Sequence, residues 1–294
     1  MNRLKTFLLA FAAAMVAMPS MSQGVVVFKK DGTRVDFPYE TIDSIVTYNN
    51  DETPPTGGGS VSDGQNKVYT VNGVSFKMIA VKGGTFTMGA TQEQTEQTGA
   101  LSNELPLHSV TLSDYYIGET EVTQELWSAV MGSNPSYFKG NMQRPVEWVS
   151  WNDSQAFITK LNALTGETFR LPTEAQWEYA ARGGNKSKGY TYSGSNKIDY
   201  VASYGTSTTQ PVKTNAPNEL GIYDMSGNVL EWCSDWYGSY SSAAQTDPTG
   251  PATGSYRVFR GGCWSGLAIC CRVAYRGGDA PTYAYYGLGL RLAH

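Results

Sequence analysis

The chain has 294 residues, 22 basic against 26 acidic, for a net charge of −4, and no Lys/Arg cluster beyond its first few residues. That balance excludes a nucleic-acid surface, because phosphate backbones demand clustered cations. Four cysteines are too few for a disulfide scaffold in so long a chain, while 32 glycines, 19 tyrosines and only 16% charged residues suit a loop-rich extracytoplasmic domain.

The first stretch, "MNRLKTFLLAFAAAMVAMPSMSQG", sets Arg3 and Lys5 before an apolar run and then small residues. This is the pattern of a signal peptide over 1–22, cut before Gln23. The run is shorter than the about 20 residues that cross a bilayer. With no cysteine at the cleavage site to carry lipid, the protein is expected to be released: periplasmic, at the cell surface or extracellular. "VVVFKKDGTRVDFP" predicts a β-hairpin within a small segment, 23–50, turning at Asp31-Gly32. "DETPPTGGGSVSDGQN", 51–66, reads as a flexible linker, and the main domain is expected over 67–294.

Three stretches of the main domain carry a helical pattern. Thr123 caps "QELWSAVM", with Leu126, Val130 and Met131 on one face. Ser150 and Asp153 open "WNDSQAFITKLNAL" with a capping box, and Thr173 with Gln176 do the same for the helix that Gly183-Gly184 stop. The remainder is short β segments among glycine-punctuated loops, so the fold class is α+β with few regular elements. His108 lies in an alternating strand-like run and reads as structural. With His294 as the only other histidine, a His-rich metal site is excluded, and a Ser-His-Asp triad would rest on His108 alone.

"DMSGNVLEW" places Asp224 and Glu231 on either side of a glycine turn. Two carboxylates and intervening carbonyls are a donor set for Ca²⁺. The spacing equally allows Asp224 to cap a turn and Glu231 to pair with an arginine.

"MIAVKGGTFTMG", "ELPLHSVTL", "YYIGETEVTQELW", "RPVEWVSWNDSQAF", "RLPTEAQWEYAARGG", "LGIYDMSGNVLEWCSDWY" and "YRVFRGG" follow one another in this order. Over about residues 74 to 292 the chain thereby resembles the formylglycine-generating enzyme, or sulfatase-modifying-factor, family. The resemblance implies a C-type-lectin-like fold. It also implies a structural calcium site made by the side chains of Asp224 and Glu231 and the carbonyls of Gly227 and Val229. A second family calcium site uses an asparagine where this chain has Ser203.

In the family's enzymes a Cys-x-x-x-x-Cys pair binds the copper that oxidises a sulfatase cysteine to formylglycine, and soft thiolates suit Cu(I). Here no two cysteines have that spacing. A copper oxidase acting on a thiol would have to use Cys271 with Cys263 or Cys270, and adjacent Cys270 and Cys271 point to opposite faces of an extended chain. Cys233 reads as a small buried hydrophobe.

The tail, "RGGCWSGLAICCRVAYRGGDAPTYAYYGLGLRLAH", is similar to the variable region of retroelement-diversified lectin-fold proteins. The similarity implies a framework of Gly261, Gly262, Trp264, 271–276, Pro281 and 288–291. Its variable ligand-binding positions would be Ser265, Gly266, Leu267, Ile269, Cys270, Gly277, Gly278, Asp279, Thr282, Tyr283, Ala284, Tyr285 and Tyr286, with Cys263 and Cys270 as accidents of diversification. Tyrosine among glycine and serine offers rigid contact area with adaptable neighbours, although such tyrosines also serve as core. The expectation is therefore a non-catalytic binding protein for a protein or glycan ligand. The thiol oxidase and a structural envelope protein are the alternatives.

Overall fold

The structure is a computed structural model; it describes residues 24–28, 34–38, 65–91 and 101–294. The signal peptide, the Asp31-Gly32 turn and nearly all of the linker lie outside the described residues. By its contacts the chain divides into Met1–Gly59 and Ser60–His294. In the first unit β1 (Gly24–Phe28) and β2 (Arg34–Pro38) pair antiparallel with Val26 opposite Asp36.

The second unit opens with β3 (Lys67–Val71), β4 (Val74–Val81) and β5 (Gly84–Met88). β6 (His108–Leu112) and β7 (Tyr115–Gly118) follow. Along β6 burial alternates, His108, Val110 and Leu112 inward, as a half-buried strand demands. Two three-stranded sheets result, β3-β4-β7 and β11-β6-β5, where β11 is the short Gln245–Thr246 strand.

Local signals set the helices. α1 (Gln124–Met131) begins where Thr123 Oγ1 accepts the Leu126 amide, 3.1 Å, and ends at left-handed Gly132. Its buried face is Leu126, Trp127 and Val130; Met131 is only half-buried, and Trp127 takes its place by stacking on Phe157 at 4.8 Å. α2 (Trp151–Thr165) carries the Ser150/Asp153 box and α3 (Glu174–Ala181) the Thr173/Gln176 box. Every residue of α3 is buried, so this helix is the centre of the core rather than a one-faced surface helix.

After α3 come β8 (Ala202–Ser203), β9 (Ser226–Gly227) and β10 (Leu230–Trp236). Then β12 (Arg257–Arg260), β13 (Arg276–Asp279) and β14 (Leu288–Leu290) complete a four-stranded sheet in the order β13-β12-β10-β14. β14 runs parallel to β10, with Leu230 opposite Leu288. The last residues therefore thread into the core instead of trailing from it. Ala293 then bridges to Ile117 and Arg170, which ties the C-terminal residues to the β3-β4-β7 sheet and the entry to α3.

Candidate functional site: the tail loops

The tail begins at Gly261 and Gly262, both at positive φ, 97° and 74°. At Gly262 a Cβ would stand 2.8 Å from Cys271 Sγ and from the Cys270 carbonyl, so only glycine lets the loop close here. Two chain segments stitch the loop down: Thr206 N donates to Trp264 O at 2.7 Å and Trp148 N to Tyr285 O at 3.1 Å.

Four arginines fix the frame from beneath. Arg272 holds Glu104 in a bidentate pair at 2.9 and 2.6 Å, and Arg276 holds Glu174 at 2.7 Å through each of two nitrogens. Arg260 joins Glu174 and Glu178, and Arg291 joins Glu231. All of these groups are buried. Breaking a buried pair strands a charge, at about 3–5 kcal/mol, so these positions are constrained.

Burial divides the tail. Gly261, Gly262, Trp264, Cys271 to Ala274, Arg276 and Leu288 to Arg291 are buried, while Tyr275 and Pro281 are intermediate. Ser265, Leu267, Thr282 and Tyr283 are exposed, and Gly266, Ile269, Cys270, Gly277, Gly278, Asp279, Ala284, Tyr285 and Tyr286 are partly exposed. Cys263 is the exception: at 7% exposure it is not part of the surface, and its Sγ sits 3.6 Å from Ser265 Oγ. Gly277 and Gly278 are partly exposed yet packed. A Cβ on Gly277 would run into the Phe259 ring, and one on Gly278 would come within 2.9 Å of Tyr237.

The tail tyrosines join an aromatic cluster that extends past the tail. Tyr286 lies 4.3 Å from Tyr285, 5.7 Å from Trp264, 5.9 Å from Tyr137 and 5.9 Å from Trp148, ring centre to ring centre. Tyr285 also shares a 3.1 Å hydrogen bond with Ser265. Tyr137 and Trp148 are 66% and 45% exposed, and Leu267 and Tyr283 are 73% and 42% exposed. Trp148 further adopts φ 64°, a left-handed backbone rare for a bulky residue. Sequence reading missed Tyr137 and Trp148. The only trace in the sequence is the aromatic pair of "RPVEWVSW", and nothing local distinguishes exposed Trp148 from half-buried Trp151. Gly277, Gly278 and Asp279 belong to edge strand β13 and share no hydrogen bond with 263–267 or 282–286 among the described residues.

All four cysteines are free thiols. Cys271 is enclosed with Tyr192 and Val201, and burial, then Cys263 and Cys270, push its thiol far above the ordinary range. Burial of this kind keeps the sulfur as a thiol rather than an activated thiolate nucleophile. Cys233 is fully buried, its thiol pushed up by burial first.

Asp224 and Glu231 do converge, in a buried cluster with Glu121 and Arg291. Glu231 accepts from Arg291 Nε and Nη2 at 2.7 to 3.1 Å and from the Trp177 indole at 2.6 Å. Asp224 Oδ2 accepts the Lys213 amide at 2.8 Å, and Glu121 accepts from Val229 N and Asn228 Nδ2. Burial pushes Asp224 up to about 6, and burial together with Asp224 and Glu231 raises Glu121 well above the carboxylate range. As donors, the residues fit calcium in charge: three carboxylates face one guanidinium. Glu231 fits only if Arg291 yields an oxygen, and among the described residues no group of three or more His, Cys, Asp or Glu is arranged to hold a metal. Ser203, at the second family site, spends its hydroxyl accepting from Asn215 at 2.9 Å.

Residues 67–294 match the sulfatase-modifying factor enzyme 1-like domain. The chain is 34% identical to chaperone protein LppX of Paenibacillus barcinonensis, over 69% of this chain and 84% of that protein. It is 30% identical to the formylglycine-generating enzyme of Streptomyces coelicolor, over 74% of this chain and 88% of that one. Against the chlamydial serine/threonine-protein kinases it also matches, the chain spans 38% of their length. Among solved structures, Treponema denticola variable protein 1 superposes with a TM-score of 0.70 at 37% identity, covering 78% of this chain and 98% of that one. The protein belongs to the formylglycine-generating enzyme (sulfatase-modifying factor) family and has that family's C-type-lectin-like α+β fold.

Proposed function

We propose that the protein is an exported, non-catalytic binding protein whose ligand, a protein or a glycan, seats on the diversified 263–286 loops. The observation that carries this reading is the division of the tail. The positions that resemble a framework are almost all buried, and those that resemble variable positions are all exposed or partly so. The likeness to a protein named a variable protein supports it. The exposed side chains are tyrosine, serine, threonine and leucine beside exposed Tyr137 and Trp148, a composition of rigid aromatic anchors among small polar neighbours. Calcium bound by Asp224, the Gly227 and Val229 carbonyls and a released Glu231 would brace the scaffold behind this face.

The copper pair that the family resemblance implies does not fit. The five-residue spacing is missing and Cys271 is sealed in the core, so no oxidase step is assigned. Export is the reading of the N-terminal stretch; among the described residues no helix is long and apolar enough to cross a membrane.

The test is a screen of the purified protein against protein and glycan arrays, repeated with L267D/Y283A/Y286A. The reading expects that captured ligands are lost in the triple variant and retained in Y200A, which removes an exposed tyrosine elsewhere. Equal binding by wild type and triple variant would overturn it.

A further inference from the structure

A cavity of about 540 Å³ lies between the start of β6, the first turn of α3, the end of β10 and the 238–251 loop. No residue of 263–275 or 277–286 lines it, so it is distinct from the tail face. Its polar groups are unevenly satisfied. Glu174 is saturated: it accepts from Arg276 twice, from Arg260 at 3.1 Å and from the Tyr240 hydroxyl at 3.0 Å. Arg276 spends its third nitrogen on the carbonyls of Asn103 and Gly238. The strong donors at the wall are thus already engaged.

Two acceptors are not. Asp235, 4% exposed, takes the Glu174 amide and the Ser234 hydroxyl on Oδ2, at 3.0 and 2.9 Å, and no described residue donates to Oδ1. Oδ1 lies beside Gly250 in the cavity loop, where a Cβ would stand 3.1 Å from it. His108, 5% exposed, sets Nδ1 3.1 Å from the Pro106 carbonyl. A carbonyl only accepts, so Nδ1 carries the proton and Nε2 of the neutral ring presents a lone pair. Its ring is held against Tyr240 at 4.8 Å.

We propose that this cavity binds a primary alkylammonium group, such as a lysine side chain or a diamine, whose N–H donors reach Asp235 Oδ1 and His108 Nε2. Both residues line the cavity, no described residue donates to Asp235 Oδ1, and an ammonium supplies three donors and the compensating charge. An anion would set acceptor against acceptor. Met88, Ala175, Pro248 and Pro251 give the alkyl chain apolar wall. The Asp235 carboxyl, which burial and then Glu174 push up to about 7, would be drawn back to its charged form by the cation.

The chain has two histidines, so His108 is resolvable by proton NMR with His294 as internal control. Full-length protein is titrated with n-butylammonium, with tetramethylammonium (charge without N–H) and with n-butanol (chain without charge). The expected result is a saturable shift of the His108 ring signal with butylammonium alone, and affinity reduced about tenfold or more in D235N. H108F, which keeps a ring against Tyr240 but has no lone pair, is followed by calorimetry as a second variant and should weaken binding likewise. An unmoved His108 signal at millimolar amine, an equal response to tetramethylammonium, or undiminished binding in both variants would overturn the proposal.

Discussion

Asp235 and Asp224 are carboxyls that folding makes weaker acids, held up to about 7 and about 6 by burial first of all. Because each folded value lies above the unfolded one, the native chain retains protons that the unfolded chain has released. Their contribution to stability is therefore present at low pH and is lost as pH rises from about 4 through the folded value. Asparagine cannot ionise. D235N should gain on wild type by on the order of 2 kcal/mol between pH 5 and pH 8 in denaturant titrations. A difference that does not change with pH would show that Asp235 titrates normally. At the neighbouring cluster, three carboxylates share Arg291. Millimolar calcium should raise the Tm of wild type and leave D224N unchanged. If neither moves, the cluster holds an ion pair and protons, the reading in which Glu231 simply serves an arginine. Both alternatives were legible in "DMSGNVLEW", and spacing could not choose between them because Arg291 lies 60 residues from Glu231 in sequence.

At the scale of elements, the helices were readable because their signals are local. The Ser150/Asp153 and Thr173/Gln176 boxes satisfy amide donors three residues away, with no help from the rest of the chain. What Trp127 or Met131 does within α1 was not readable, since it depends on Phe157 of α2. The edge strand β13 shows the same limit. Gly277 and Gly278 resemble variable positions, yet Phe259 and Tyr237 occupy the space above them. G277A should cost about 1–3 kcal/mol by overpacking. T282A, at an exposed position, should stay within about 0.5 kcal/mol. Equal tolerance at both sites, measured by thermal or chemical unfolding, would restore Gly277 to the freely varying face.

Across the whole domain, the tail supplies the C-terminal strand of the core and also a partly exposed loop set. β14 lies against β10, and Arg260, Arg272, Arg276 and Arg291 reach carboxylates contributed from positions 104 to 231. Arg272 and Glu104 are 168 residues apart, which is why the tail's resemblance marks Arg272, Arg276 and Arg291 as framework without showing what they hold, and leaves Arg260 unmarked. Long separation in sequence also hid the aromatic platform, since Tyr137 and Trp148 meet Tyr286 only in the fold. A buried frame of this kind permits side chains to change on one face without loss of the fold.

The central claim, a diversified face on a fixed buried frame, is tested most directly by deep sequencing of the codons for 261–294 in a cultured population. The account predicts substitutions concentrated at Ser265, Gly266, Leu267, Ile269, Cys270, Asp279, Thr282, Tyr283, Ala284, Tyr285 and Tyr286, with Gly261, Gly262, Trp264, Arg272, Arg276 and Arg291 unchanged. An invariant tail, or changes falling equally on the buried frame, would contradict it.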